Sequence, residues 1–152
     1  MLQPGEPAPN FSLPDDVGRE TTLADLIVSG PLSLFLYPAD FTPVCTQEVC
    51  MFRDLLHEMA EQFAAAGLSV AGISPDTIEK HAEFKERYAL PFPLLADPDK
   101  NVIRSYDADG PLGIGVRRVT YVIDEGGTIV DAMLADLRVS RHEEFVRRAL
   151  AR

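Results

Sequence analysis

The run from Leu32 to Tyr37, LSLFLY, constrains the fold more than any other stretch. It is apolar on both faces, and such a strand is stable only inside a sheet that helices cover on both sides. It passes through YPADFTPVCTQEVC, Tyr37 to Cys50, straight into a long amphipathic segment. There Val49, Phe52, Leu56, Met59 and Phe63 recur at spacings of three and four, which predicts a helix over Pro43 to Ala66 capped by Gly67.

Strand and helix patterns alternate from there. Leu68 to Ile73 reads as a strand, and Ser74-Pro75-Asp76 opens a helix that runs to about Tyr88. Leu94-Leu95 is a short strand and Asp97 to Tyr106 a short capped helix, followed by a glycine-rich loop over 107–115. Val119 to Ile123 and Thr128 to Leu134 form a hairpin around Glu125-Gly126-Gly127. Ser140, with Glu143 three residues on, predicts a capping box and a final helix to about Ala151. Upstream, Phe11 to Leu13 and Thr21 to Leu23 flank a turn at Asp15, Asp16 and Gly18, and Leu23 to Val28 makes a helical turn. The expected architecture is an α/β sandwich with a mixed sheet, in one domain over 1–152.

Charge removes several function classes. With 24 acidic and 14 basic residues the net charge is −10, which disfavours nucleic acid and anionic membranes as partners. No apolar run approaches the roughly 18–20 residues that span a bilayer. The opening MLQPGEPAPNF lacks the basic and apolar regions of a signal peptide. A cytoplasmic location in a reducing compartment is expected. Two cysteines are too few for a disulfide framework, so the thiols point to chemistry.

At about 100° per residue, Cys45 falls on the same stripe as Val49, Phe52 and Leu56, in the first turn of the helix. Unpaired backbone N–H groups and the positive end of the helix dipole there favour a thiolate. Thr42 can cap the helix or bind a ligand, and Pro38 and Pro43 stiffen the approach and shield the thiol. A buried cysteine acting as a small hydrophobe is the plain alternative, and the helix terminus, flanking Thr and Pro and second thiol weigh against it. Cys50 lies about 140° further round, on a face shared with Asp54, His57 and Glu61. On an intact helix the two Cα atoms stand roughly 8–9 Å apart, beyond disulfide reach, so a bond between them requires the first turns to unwind. Zinc would need four ligands, and only His57 is nearby. His81 and His142, in HAEFKE and RHEEF, read as solvated, and the carboxylates of DADG and DPDK as turn and cap residues. No metal or cofactor is expected.

Pro38, Thr42 and Cys45 spell P-x-x-x-T-x-x-C, which resembles the active-site motif of the peroxiredoxins. Cys50 resembles the resolving cysteine of the bacterioferritin comigratory protein/PrxQ subfamily, and the opening PGEPAPNFSLPDDVGRETTLADL and the segment RVTYVIDEGGTIV are similar to that family. The resemblance implies a thioredoxin-like three-layer α/β/α sandwich with a mixed central sheet and an N-terminal hairpin. It implies a peroxidase acting on hydrogen peroxide and organic hydroperoxides. Cys45 would be the peroxidatic thiolate and Cys50 would resolve its sulfenic acid as an intramolecular disulfide, reduced by thioredoxin or a similar dithiol. Arg118 would hold the thiolate and polarise the peroxide, since strand alternation sends Arg117 the other way. Thr42 and the Cys45 N–H would bind peroxide oxygen, Pro38 would shield the site, Glu48 would orient Arg118, and Tyr37 would line the pocket or serve the strand alone. Relatives with this spacing are often monomers. Val44 departs from the glycine that many relatives carry. A one-cysteine peroxidase resolved by an external thiol, a disulfide oxidoreductase and a redox-sensing switch remain as competing readings; the absence of C-x-x-C weighs against the oxidoreductase.

Overall fold

The computed structural model describes residues 1–151. Strand β3 (Leu32–Leu36) is buried at every position. It lies at the centre of a five-stranded sheet, parallel to β4 (Ser69–Ser74) and antiparallel to β6 (Val119–Ile123). β5 (Leu94–Ala96) pairs parallel with β4 at one edge, and β7 (Ile129–Leu134) pairs antiparallel with β6 at the other. A separate hairpin, β1 (Ser12–Pro14) and β2 (Glu20–Thr22), precedes the sheet.

The alternation of side chains along β3 sorts the core into two layers. Leu32, Leu34 and Leu36 pack with Tyr121, Ile123, Leu23 and Ile103, under α1 (Leu23–Ile27) and α5 (Asn101–Ser105). Phe35 and Tyr37 pack with Cys45, Phe52, Phe63, Phe84 and Phe145. That face is covered by α2 (Pro43–Glu58), α3 (Ala60–Ala66), α4 (Ile78–Tyr88) and α6 (Val139–Leu150). Right-handed crossovers between parallel neighbours put α2 and α4 on the same side. Gly72 of β4 makes room on this face: a Cβ there would stand 2.7 Å from Cζ of Phe35, whose ring stacks 4.5 Å from Phe52. The result is the expected three-layer α/β/α sandwich with a mixed sheet and an N-terminal hairpin.

Four details differ from the sequence reading. The helix over Pro43 to Ala66 is interrupted at Met59 (φ −111°, ψ 34°), which ends α2 and begins α3. α4 starts after Thr77, whose hydroxyl accepts from Lys80 N, because Ser74 turns its own hydroxyl to Asp76. Ser140 does not cap α6: the helix begins one residue earlier, and Glu143 pairs with Arg147 at i+4 (2.9 Å) instead of reaching back. His81 and His142 are fully buried, not solvated. Each shares the apolar stripe of its helix, His81 with Phe84 and His142 with Phe145 and Val146, and the charged neighbours face outward. Among the described residues, no helix is long and apolar enough to cross a membrane.

Candidate active site

The turn from β3 into α2 is sharp because Phe41 adopts a left-handed backbone (φ 64°) and lays its ring 4.9 Å from that of Phe84. Thr42 follows at the N-cap, but its hydroxyl makes no cap bond. It donates to the Ala39 carbonyl at 2.8 Å, closing the turn on itself. Thr46 is the first residue whose N–H closes a helical bond, to Thr42 O. The N–H groups of Val44 and Cys45 precede it and belong to the open end of the helix. Cys45 is 1% exposed there, on the face that packs against the sheet.

Arg118 comes from the other side of the sheet centre. It immediately precedes β6 and shares the face of Thr120 and Val122, so its side chain reaches α2. Nη2 donates to Cys45 Sγ at 3.2 Å, Nη1 to Glu48 Oε1 at 2.7 Å, and Nε to the Asp136 carbonyl at 3.0 Å. Arg117 turns away and pairs with the Asp136 carboxylate at 2.8 Å. Burial opposes the charge on Arg118, but Glu48 and Cys45 outweigh it and hold the guanidinium above its ordinary range.

Behind the arginine lies a second polar layer. Glu48 is fully buried, and burial pushes its carboxyl up to about 7 despite Arg118. Its Oε2 has no hydrogen-bond partner; His142 Nδ1 is 3.7 Å away. This contact is not an ion pair. His142 Nε2 faces the Ala135 carbonyl at 2.9 Å and must carry the proton, so Nδ1 accepts from the Thr120 hydroxyl at 2.7 Å. Burial pushes this neutral imidazole down to about 4.

Both thiols are free. Cys50 is half-buried at the rim of the aromatic cluster, beside Met51 and Leu56, so its face of α2 is less polar than its charged neighbours suggest. Burial pushes its thiol up, against the pull of Arg53. With α2 unbroken from Pro43 to Glu58, the helix keeps the two Cα atoms roughly 8–9 Å apart.

Pro38, Ile114, Val116, Leu137 and Arg118 line a depression of about 580 Å³ beside the thiol. Its rim, over 110–115, is held by Lys100, whose Nζ donates to Gly113 O (2.9 Å) and Gly115 O (3.0 Å). Gly110 is required at its base, since a Cβ would collide with Ile114 O. Tyr37 does not reach this mouth: it lies beneath the site, fully buried, and its hydroxyl donates to Asp40 at 2.6 Å. The structure therefore gathers Cys45, Arg118 and Glu48, with Thr42 and Pro38 at the entrance and Cys50 out of reach. Thr120 and Asp136 escaped the sequence reading, and His142 was read as solvated; the signal against that was its spacing from Phe145.

A thiol at a helix N-terminus, buried against an arginine and a carboxylate, is equipped to attack an electrophile whose leaving oxygen the cation stabilises. The AhpC/TSA family matches residues 4–132. Peroxiredoxin Bcp of Bacillus subtilis is 36% identical over 85% of this chain and 83% of its own length. The crystal structure of peroxidoxin BcpB from Mycobacterium tuberculosis superposes with a TM-score of 0.87 at 36% identity, covering 99% of this chain and 96% of that one. A structure of the bacterioferritin comigratory protein of Xanthomonas campestris, described for its alkyl peroxide reduction activity, gives a TM-score of 0.81 at 29% identity over 93% and 90% of the two chains. Fold, motif and whole-length similarity agree: this chain has the thioredoxin-like fold and belongs to the peroxiredoxins of the AhpC/TSA family, in the bacterioferritin comigratory protein/PrxQ group, as an antioxidant thiol peroxidase.

Proposed function

We propose that Cys45 is the peroxidatic thiol and that Cys50 resolves it within the chain, which acts as a single domain. The observation that supports this best is the 3.2 Å contact between Arg118 Nη2 and Cys45 Sγ at the open end of α2. The Cys45 thiolate attacks the near oxygen of a hydroperoxide, an S–O bond forms as the O–O bond breaks, and the leaving alkoxide or hydroxide takes up a proton. The Thr42 proton is committed to Ala39 O, so its oxygen is placed to accept the peroxide O–H. The Cys45 N–H and Arg118 steady the oxygen that carries the developing charge. Glu48 fixes the guanidinium, Pro38 screens the thiol, and Tyr37 supports the strand end from below. Hydrogen peroxide and alkyl hydroperoxides are the substrate classes, consistent with the activity named for the Xanthomonas campestris relative.

The Cys50 thiolate then attacks the sulfur of the Cys45 sulfenic acid, the S–S bond forms as the S–O bond breaks, and the departing hydroxide takes up a proton and leaves as water. This needs the first turns of α2 to unwind, because the intact helix holds the thiols apart. Thioredoxin or a similar dithiol restores both thiols by exchange, in a reducing compartment such as the cytoplasm, and the chain works as a monomer. A second reading has an external thiol reduce the sulfenic acid. It draws support from Cys50 itself, whose half-buried thiol is pushed up by burial and so yields less thiolate. Intact mass under peroxide separates the two. Cys45→Ser should gain no oxygen, and Cys50→Ser should accumulate one and then further oxygens. Identical behaviour of the two variants contradicts the assignment, and a wild-type chain that stops at the sulfenic acid favours the external thiol.

A further inference from the structure

Behind the turn that carries Thr42 lies a largely buried polar network in which Asp40 and His81 are fully enclosed and Asp76 partly so, and neither Asp40 nor His81 has a role in the chemistry above. Asp40 Oδ1 accepts from Tyr37 Oη at 2.6 Å, and Asp40 Oδ2 stands 2.6 Å from His81 Nδ1. The backbone N–H of Asp40 donates to Asp76 Oδ2 at 2.7 Å, and the Ser74 hydroxyl donates to that same oxygen at 2.6 Å. His81 Nε2 faces the carbonyl of Leu95 at 3.0 Å, which can only accept, so this nitrogen carries a proton. One further proton must then lie between Nδ1 and Asp40 Oδ2, and it joins the two side chains into a pair. Asp40, His81 and Asp76 bring ligand atoms within 4.8 Å of one another, but those atoms are already committed to these bonds.

Asp40 is thereby tied at once to the end of β3, to the turn after β4, to α4 and to β5. The next residue is the left-handed Phe41, whose ring rests on α4, and after it Thr42 closes the turn on Ala39. These bonds and the Phe41 contact hold the segment just ahead of Cys45 from the side away from α2.

We propose that Asp40 and His81 are positioning residues for the peroxidatic turn: their buried pair clamps Ala39 to Thr42 so that Cys45 meets Arg118 and peroxide in one geometry. This rests on the assignment of Cys45 above. The clamp acts on attack, which needs the turn formed, and not on resolution, which needs α2 unwound. Loosening it therefore slows the first step without slowing the second, a split that a purely structural role does not produce.

The test uses the full-length protein and rapid-quench intact mass, since the chain has no tryptophan to report the change. Oxygen uptake at Cys45 and the later loss of the sulfenate to the disulfide are timed separately after addition of hydrogen peroxide. Asp40→Ala is expected to slow oxygen uptake by about tenfold or more, in line with the cost of a small misplacement of a reacting group, while the disulfide forms at least as fast as in the parent. Asp40→Asn keeps an acceptor for Tyr37 and gains a donor for His81 Nδ1, and should recover most of the rate. Tyr37→Phe removes one hydroxyl and no volume, so it reports on the clamp even if Asp40→Ala does not fold; it should slow uptake about threefold. Uptake at the parent rate in Asp40→Ala or Tyr37→Phe, or an Asn variant as slow as the Ala one, overturns the clamp. Oxygen uptake in the parent at a residue other than Cys45 overturns both the clamp and the peroxidatic assignment, and so separates the two failures.

Discussion

Arg118 Nη2 lies 3.2 Å from Cys45 Sγ although 73 positions separate the two residues. The same guanidinium holds Glu48 with Nη1 and the Asp136 carbonyl with Nε, so its plane is fixed before any substrate arrives. A planar fork does this and an ammonium does not. Arg118→Lys should therefore behave almost as badly as Arg118→Ala. Both should lower the second-order rate with hydrogen peroxide by roughly 100-fold, the scale of losing one preorganised donor to a developing oxyanion. A lysine variant within a few-fold of wild type in peroxide consumption would show that charge alone suffices.

Glu48 and His142 set opposing pH dependences on stability. The Glu48 carboxyl is raised from 4.5 to about 7 in the fold, so the native state holds a proton that the unfolded chain has lost, and stability falls as pH rises from 4.5 to 7. His142 is lowered from 6.5 to about 4, so the unfolded chain holds the extra proton, and stability rises over that range. Between pH 4.5 and 6.5 the two slopes cancel. Relative to wild type, Glu48→Gln should gain about 3 kcal/mol of stability across this window as pH rises, and His142→Asn should lose about as much. Urea unfolding at the two ends of the window tests it; three parallel profiles would be incompatible with this pairing.

Val44 is the second residue of α2 and its β-branched side chain stiffens the turn that the proposed resolution by Cys50 would open. Val44→Gly should raise the rate of disulfide formation by about twofold, through the roughly 0.4 kcal/mol that separates glycine from valine in a helix, and leave oxygen uptake little changed. The mass assay described for Cys45 and Cys50 reads both. An unchanged resolution rate would place the barrier elsewhere.

Lys100 holds the rim of the mouth through two carbonyls, and Ile114 and Val116 line that mouth. Lys100→Met frees the rim without touching the thiol. Turnover of hydrogen peroxide should stay within twofold, while KM for a bulky organic hydroperoxide should change by roughly three- to tenfold, the range of one or two lost hydrogen bonds. Equal effects on both substrates would argue that the rim does not shape selectivity.

The layered fold was legible because β3 is apolar on both faces and the stripe of α2 has helical spacing. The entrance to the site was legible for a related reason: Pro38, Thr42 and Cys45 lie close together on one turn. Arg118 could be chosen over Arg117 because a strand alternates. What lay behind the site was not legible. His142 and Glu48 meet only because α6 packs on α2, and His81 and Asp40 only because α4 crosses to β5. Such buried polar pairs are set by tertiary packing, and charged neighbours in HAEFKE and RHEEF disguised both histidines as surface residues. The break at Met59 was hidden too, since the apolar stripe continues across it.

That break has a mechanical consequence. Met59 anchors to α6 through Arg147, whose Nη1 stands 3.3 Å from Sδ, and the helical ladder is interrupted there. Helix melting is cooperative along a continuous ladder and halts where the ladder does. Under the proposed resolution, unwinding that enters at Pro43 would stop within the 16 residues of α2, leaving the Ala60–Ala66 segment and the C-terminal helix seated as a fixed platform against which the chain would rewind.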